Sequence, residues 1–363
     1  MPSVNPPKRI AELDGLRGTA ALAVVVAHYV GEVPHGISAL MFGWYGVDFF
    51  FVLSGFLMGS IILNHHTEPG FLRSFYLRRA ARIIPIYFVV VCVTLLLVAL
   101  TQGNTWTDHP FDALIYLLFL PNVAMSLWDG GGEWLKPAWT LAVEEQFYLV
   151  LPLLVIWIPK RFLIAALLGL CGAAIVFRYA SYEINPLAAL TLLPGRMDLL
   201  LGGVVLAYVT QHFELSRYLR IFRIVPLIAM VALLVVSLIS REHLFPILNP
   251  TLLSLGFASF LLAVLLGAPE GRRYRSPVLR YFGQVSYALY LVHQPISGVL
   301  HGIILNGRPD IESFPQIAVT ILAFSVSVAA AAASWKWLEQ PILKRVPSRI
   351  HEPAERAPLS QTI

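Results

Sequence analysis

About ten runs of predominantly apolar residues divide this chain, each close to the length a helix needs to cross a bilayer. They lie near 16–33, 46–63, 84–101, 139–158, 162–179, 188–209, 222–239, 251–267, 284–305 and 316–337. Inside lipid every backbone N–H and C=O must find a partner within its own segment, so runs of this kind form helices and not open sheets. Composition agrees, with 57% hydrophobic and 13% charged residues against roughly a quarter charged in an ordinary soluble domain. The expected fold class is all-α, a polytopic transmembrane helical bundle. A shorter run, 111–127, is broken by Pro121 and reads as re-entrant or interfacial.

The connections set an orientation, because Lys and Arg collect on the cytoplasmic side. Basic connections carry Arg73, Arg78, Arg79 and Arg82, then Lys160 and Arg161, then Arg217 and Arg220, then Arg272, Arg273, Arg275 and Arg280; Lys344 and Arg345 follow in the tail. The alternate connections are nearly bare: 34–45 has no Lys or Arg, and 102–138 has only Lys136. Both termini are therefore expected in the cytoplasm of a multi-pass protein of the cell (inner) membrane. The net charge of +5 follows from this loop bias and calls for no nucleic-acid partner. Cys92 and Cys171 fall inside apolar runs, where a thiol behaves as a small hydrophobe, and no Cys/His spacing suits a metal. Residues 1–340 read as one membrane domain and 341–363, polar and Pro-bearing, as a disordered cytoplasmic tail. The first run lacks a cleavage pattern and is expected to be retained as a span.

Ionisable groups inside these runs are costly unless they are paired or used. Arg17 and His28 stand eleven residues apart on the first run, which on an α-helix puts them on one face with about 16 Å between them along the axis. A guanidinium at the cytoplasmic mouth suits phosphate, and an imidazole past the midplane suits proton transfer. The alternative is a snorkelling arginine and a histidine bonded to a neighbouring helix. Asp48 opens the second run at a depth close to that of His28, so it is either a carboxylate partner for that imidazole or an acidic residue at a helix start. Four arginines and no lysine between 64 and 83 favour bidentate phosphate binding, with Arg78 and Arg82 one turn apart and Pro85 expected in the first turn of its helix. Glu144 and Glu145 are consecutive, so at least one must face the protein interior. Arg196 and Asp198, two apart, cannot face each other on a regular helix, and each needs a partner elsewhere. Ser286, Tyr287 and His293 sit in the ninth run, which Pro295 is expected to kink.

The stretches "LDGLRGTAALAVVVAH", "GVDFFFVLSGF", "RRAARIIPIY", "WTLAVEEQFY", "RMDLLLGG" and "SYALYLVHQP" together resemble the acyltransferase-3 family of integral-membrane O-acyltransferases, in order and in spacing. Arg17 and His28 match its Arg-x10-His signature, and Thr140 stands where its Trp-Ser-Leu motif has serine. "EQP" at Glu339 to Pro341 replaces the usual Glu-Lys/Arg-Pro, and no fused hydrolase-like domain is present in the sequence, which implies a stand-alone member.

What the resemblance implies is acyl transfer, commonly of acetyl, from cytoplasmic acyl-coenzyme A to a sugar hydroxyl of an envelope or exported glycan such as an O-antigen or exopolysaccharide. Acyl-CoA is then a donor substrate and not a tightly bound cofactor, and no metal is required. The expected partners are acyl-CoA, membrane lipid and a carbohydrate acceptor, met as a lipid-linked unit or a finished polymer. Arg78, Arg79, Arg82 and Arg17 are expected to hold the nucleotide phosphates. His28 is expected as general base or transient acyl carrier, Asp48 or Glu144 as its orienting carboxylate, and Arg196 as oxyanion stabiliser. The competing readings are acylation of a small secreted product such as a macrolide, and a transporter or flippase using the same polar interior.

Overall fold

The computed structural model describes residues 10–128 and 130–346, and the described residues contain helices and no strand. In chain order the helices are α1 (Ala11–Val26), α2 (Tyr45–His65), α3 (Phe71–Leu100), α4 (Ala113–Leu117), α5 (Pro121–Trp128), α6 (Ala138–Trp157), α7 (Lys160–Ser181), α8 (Pro186–Thr191), α9 (Leu193–His212), α10 (Leu219–Ile239), α11 (Leu244–Leu265), α12 (Pro277–Leu305), α13 (Phe314–Ser334) and α14 (Gln340–Arg345). Nine helical segments among the described residues are long and apolar enough to cross a membrane. The chain is a multi-pass membrane protein.

The remaining expected span, 16–33, is α1 continued by a π-helical turn at Ala27–Gly31. Asp14, Arg17 and His28 make this segment more polar than the other nine. It is tolerable because α1 sits inside the bundle, with Leu13, Leu16, Ala20, Ala21, Val24 and Val25 all buried. By contrast α10, almost wholly apolar beyond Arg223, fully buries only Ala229 and leaves a wide apolar face exposed, as a lipid-facing helix does.

Two sequence expectations are corrected. The helix α3 begins at Phe71 and not near 84, so the arginine stretch is helical and Pro85 lies inside the helix, well past its first turn. Charge marked 71–83 as a connection, yet Phe71, Phe75, Ile83, Ile86 and Val90 recur at helical spacing and are buried. The run at 111–127 is broken at Pro121 as expected, into two short helices, α4 and α5. The tail does not begin at 341 either: Gln340–Arg345 is helical, and 347–363 lie outside the described residues.

Two crossings organise the centre, α1 on α12 and α2 on α9. In each, glycine lets backbone approach backbone. A Cβ at Gly283 would stand 1.8 Å from Asp14 O and one at Gly18 2.0 Å from Leu279 O; one at Gly55 would stand 1.8 Å from Leu200 O. No side chain fits at these separations, so the two crossings fix which polar residues of distant sequence meet.

Candidate active site

The α1–α12 crossing brings His28, in the π turn, against His293. Nε2 of His293 lies 2.8 Å from Nδ1 of His28, and the rings stack with centroids 4.9 Å apart. Nδ1 of His293 reaches Leu289 O at 3.1 Å. The Tyr29 hydroxyl, next along the π turn, donates to His293 O at 2.6 Å and pins the two helices a second time. Trp44 packs edge-on against the His28 ring at 4.8 Å. Both imidazoles are buried, His28 at 5% and His293 at 0% exposure.

On the side of His28 away from His293, the Glu32 carboxylate lies 3.7 Å from Nε2. Lys136 donates to Glu32 and to Glu133, each at 3.0 Å, and lies over the Trp44 ring. Burial works against the Lys136 charge, but the two carboxylates outweigh it and raise the ammonium above its ordinary value. Glu32 and Lys136 are each about a quarter exposed, 27% and 26%. Nε2 of His28 is thus one ion pair from the surface at this end of the bundle.

Toward the other end, where α1 begins, a cavity of about 200 Å³ lies between α1, α2, α3, α6 and α12. Arg17, Arg79 and Arg82 line it, with Glu144, Ser54 and Tyr148. Arg79 and Arg82 are three apart on α3 and so share a face. Arg78 is not among the lining residues. Glu144 accepts from Ser54 at 2.7 Å and stands within the fields of Arg17 and Arg79. Glu339, carried by a second π turn at Trp335–Glu339, stands in the fields of Arg82 and Arg17 and accepts from Ser334 at 2.9 Å. The sequence reading did not single out the role of Glu339; a carboxylate at 4% exposure near two arginines marks it as a brace for the cationic end.

Tyr290 separates cavity from imidazoles. It lines the cavity, and its ring lies 5.9 Å from that of His293. Thr140 Oγ1 donates to Pro137 O at 2.9 Å, so in the 2.9 Å contact between Thr140 and Tyr290 the phenol is the donor. One layer of side chain therefore divides the arginine-lined space from the histidine pair. Arg17 faces the cavity and His28 does not, so the expectation that one face of α1 presents both to one ligand is modified. His28 lies farther along the segment, beyond Tyr290, and the π turn closed by Glu32 N on Ala27 O at 2.8 Å re-phases the residues that follow it.

Asp48 and Arg196 are brought to each other, not to His28: Arg196 Nη1 donates to Asp48 at 2.9 Å, its Nε to Leu190 O at 2.5 Å, and its guanidinium lies over Trp139. Neither lines the cavity. The position expected for an orienting carboxylate is taken by His293, because the glycine crossings pair α1 with α12 and α2 with α9. Asp198 has a different partner, as the two-residue spacing requires. Arg178 of α7, fully buried, donates to both its oxygens at 3.0 and 2.7 Å and also to Ile247 O, Gly195 O and Thr251. Arg178 was missed from sequence, although a lone arginine inside an apolar run is itself the signal.

The family model described as an acyltransferase domain matches residues 10–336, nearly the whole chain. The chain belongs to the acyltransferase-3 family. It is 25% identical to an O-acetyltransferase OatA of Staphylococcus aureus (strain NCTC 8325 / PS 47) over 365 residues, covering 93% of this chain and 58% of that protein. A putative O-acetyltransferase of S. aureus strain COL is 25% identical over 358 residues, 92% of this chain and 57% of its own length, and one of strain MSSA476 is 24% identical over 355 residues, with the same coverage. The chain thus spans less than two thirds of the length of the curated relatives it matches. No solved structure matches it. Within this acyltransferase-3 chain, the site residues expected from the family motifs are divided among the arginine cavity, the histidine pair and the Asp48–Arg196 pair.

Proposed function

We propose that this chain is a membrane O-acyltransferase that moves an acetyl group from acetyl-coenzyme A, held at the cytoplasmic arginine cavity, to a carbohydrate hydroxyl arriving from the Glu32–Lys136 end. The observation that carries the reading is the cavity lined by Arg17, Arg79 and Arg82 ending one side chain, Tyr290, from the His28–His293 pair. Coenzyme A has phosphates at one end and a thioester at the tip of a long arm, and guanidinium forks suit those phosphates. The loop charges support placing the cavity in the cytoplasm. The names of the relatives support acetyl as the group moved, and a sugar of an envelope or exported glycan is the acceptor this reading favours.

In the step, the acceptor hydroxyl attacks the thioester carbon while His28 takes its proton. The new O–C bond forms, the C–S bond breaks, and the coenzyme A thiolate leaves and is protonated, which restores neutral His28. A burial this complete excludes water and so protects the thioester from hydrolysis.

The test uses membranes containing wild type or His28→Ala, given acetyl-coenzyme A labelled in the acetyl group together with native glycan. Label is expected in a saccharide fraction with wild type only. Donor left intact with every glycan supplied would overturn the reading, and movement of sugar across the membrane without thioester consumption would replace it with transport.

A further inference from the structure

The histidine pair contains more information than its distance. A carbonyl oxygen only accepts, so the contact of His293 Nδ1 with Leu289 O places a proton on that nitrogen. In a neutral ring the other nitrogen, Nε2, then carries the lone pair. It faces His28 Nδ1 at 2.8 Å, so His28 must be the donor in that bond and its Nδ1 holds the proton. The opposite tautomer of His28 would set two lone pairs against each other at 2.8 Å. Its gain would be an N–H aimed at Glu32 across 3.7 Å, a separation beyond hydrogen-bond length. Glu32 is also already engaged by the Lys136 ammonium at 3.0 Å.

We propose that His293 is a positioning residue: it holds His28 as the tautomer with Nδ1 protonated and Nε2 bare toward Glu32, so that Nε2 is the nitrogen that meets the acceptor hydroxyl. The assignment rests on the proposed acyl transfer for its consequence, and on the geometry alone for the tautomer. It applies equally to His28 as general base and as acyl carrier, since both need the unprotonated nitrogen. It also gives the reaction a direction. The charged groups facing His28 are Glu32 from its own segment and Lys136 from the connection before α6, with His293 facing it from α12. The bare nitrogen thus looks toward Glu32 and Lys136, and the hydroxyl enters from their end of the bundle, opposite the arginine cavity. The proton it gives up forms an imidazolium between His293 and the Glu32 carboxylate.

The experiment compares wild type, His293→Leu, His293→Gln and His293→Lys in detergent. Gln sets a carbonyl oxygen near the place of Nε2 and keeps an acceptor; Lys offers only donors; Leu offers neither. The expected result is a kcat about 10- to 100-fold lower for Leu, less than the roughly 10²- to 10⁴-fold that a general base itself contributes, with the KM for acetyl-coenzyme A unchanged. Gln is expected to restore most of the loss and Lys none of it. Ring ¹⁵N spectra of histidine-labelled protein, with His28 assigned by its loss in His28→Ala, should show Nδ1 protonated and Nε2 bare in wild type.

Equal failure of Gln and Leu in folded protein would make His293 a packing residue and overturn the assignment, as would full activity of Leu. An Nε2-protonated His28 would overturn it even if no variant folds. If His28→Ala still transfers acetyl, the proposed role of His28 fails while the acyl transfer stands, and the spectrum continues to decide the tautomer by itself.

Discussion

The two ends of the candidate site are built on opposite plans. The arginine end is a cavity lined by Arg17, Arg79, Arg82 and Glu144, with Glu144 in the fields of Arg17 and Arg79. The histidine end is packed: His28 and His293 are held by Leu289 O, Trp44 and the Tyr29 hydroxyl, and both are buried. An open cationic space suits a ligand that comes and goes, since it exchanges water for phosphate at small cost in ordering. A closed pair suits chemistry, because orientation established on folding need not be established again at each turnover. Binding and reaction therefore separate by place, and substitutions at the two ends should separate by kinetic parameter.

The largest effect belongs to the closed end. His28→Ala should lower kcat for acetyl transfer by about 10²- to 10⁴-fold, the usual contribution of a general base, measured as thiol release from acetyl-coenzyme A. A smaller loss would take His28 out of the chemistry. Next comes the boundary layer. Tyr290→Phe removes the phenol that donates to Thr140, and a hydrogen bond of this kind contributes about 0.5–1.5 kcal/mol net. A several-fold fall in kcat with unchanged donor KM is expected; a change confined to KM would assign Tyr290 to the cavity.

Glu144→Gln works in the other direction. It keeps a polar group for Ser54 but removes a negative charge that opposes Arg17 and Arg79, so donor KM should fall by about two- to three-fold, the scale of a partly screened interaction. A collapse of kcat would return Glu144 to the catalytic role expected from sequence.

The smallest effect lies outside both ends. His35, between α1 and α2, bonds Asp310 at 2.7 Å, and this bond raises its pKa above the ordinary value. Its stabilisation is therefore complete below the unfolded pKa of about 6.5 and is lost as pH rises through the higher folded value. Hydrogen exchange at the His35 amide, which donates to Asp310 at 3.1 Å, should show protection that declines on the alkaline side after correction for intrinsic rate. Asp310→Asn should abolish that dependence, and a flat profile in wild type would contradict it.

Much of this arrangement was legible in the sequence, and the illegible part has a common cause. Spans, Arg17, the α3 arginines and His28 announce themselves because an ionisable group beside or inside an apolar run is rare and costly. The need of Arg196 and Asp198 for separate partners followed from their spacing alone. What the chain could not disclose were the partners themselves. His293 lies 265 positions from His28, and Asp48 lies 148 from Arg196. Which meets which depends on glycines at two crossings, and a glycine in an apolar run looks like any other small residue. The π turn at His28 was hidden for a related reason. Helical periodicity read at 100° per residue assumes an unbroken α-helix, and one inserted residue turns the side chains that follow it out of one environment and into another.

The most direct test of the separation is the affinity for coenzyme A itself, by calorimetry in detergent on wild type, His28→Ala and the double variant Arg79→Ala/Arg82→Ala. The dissociation constant of His28→Ala is expected within about two-fold of wild type. The double variant should bind at least about ten-fold more weakly, since charge-assisted hydrogen bonds contribute about 1.5–3 kcal/mol each. Weakened binding in His28→Ala with normal binding in the arginine variant would contradict the separation.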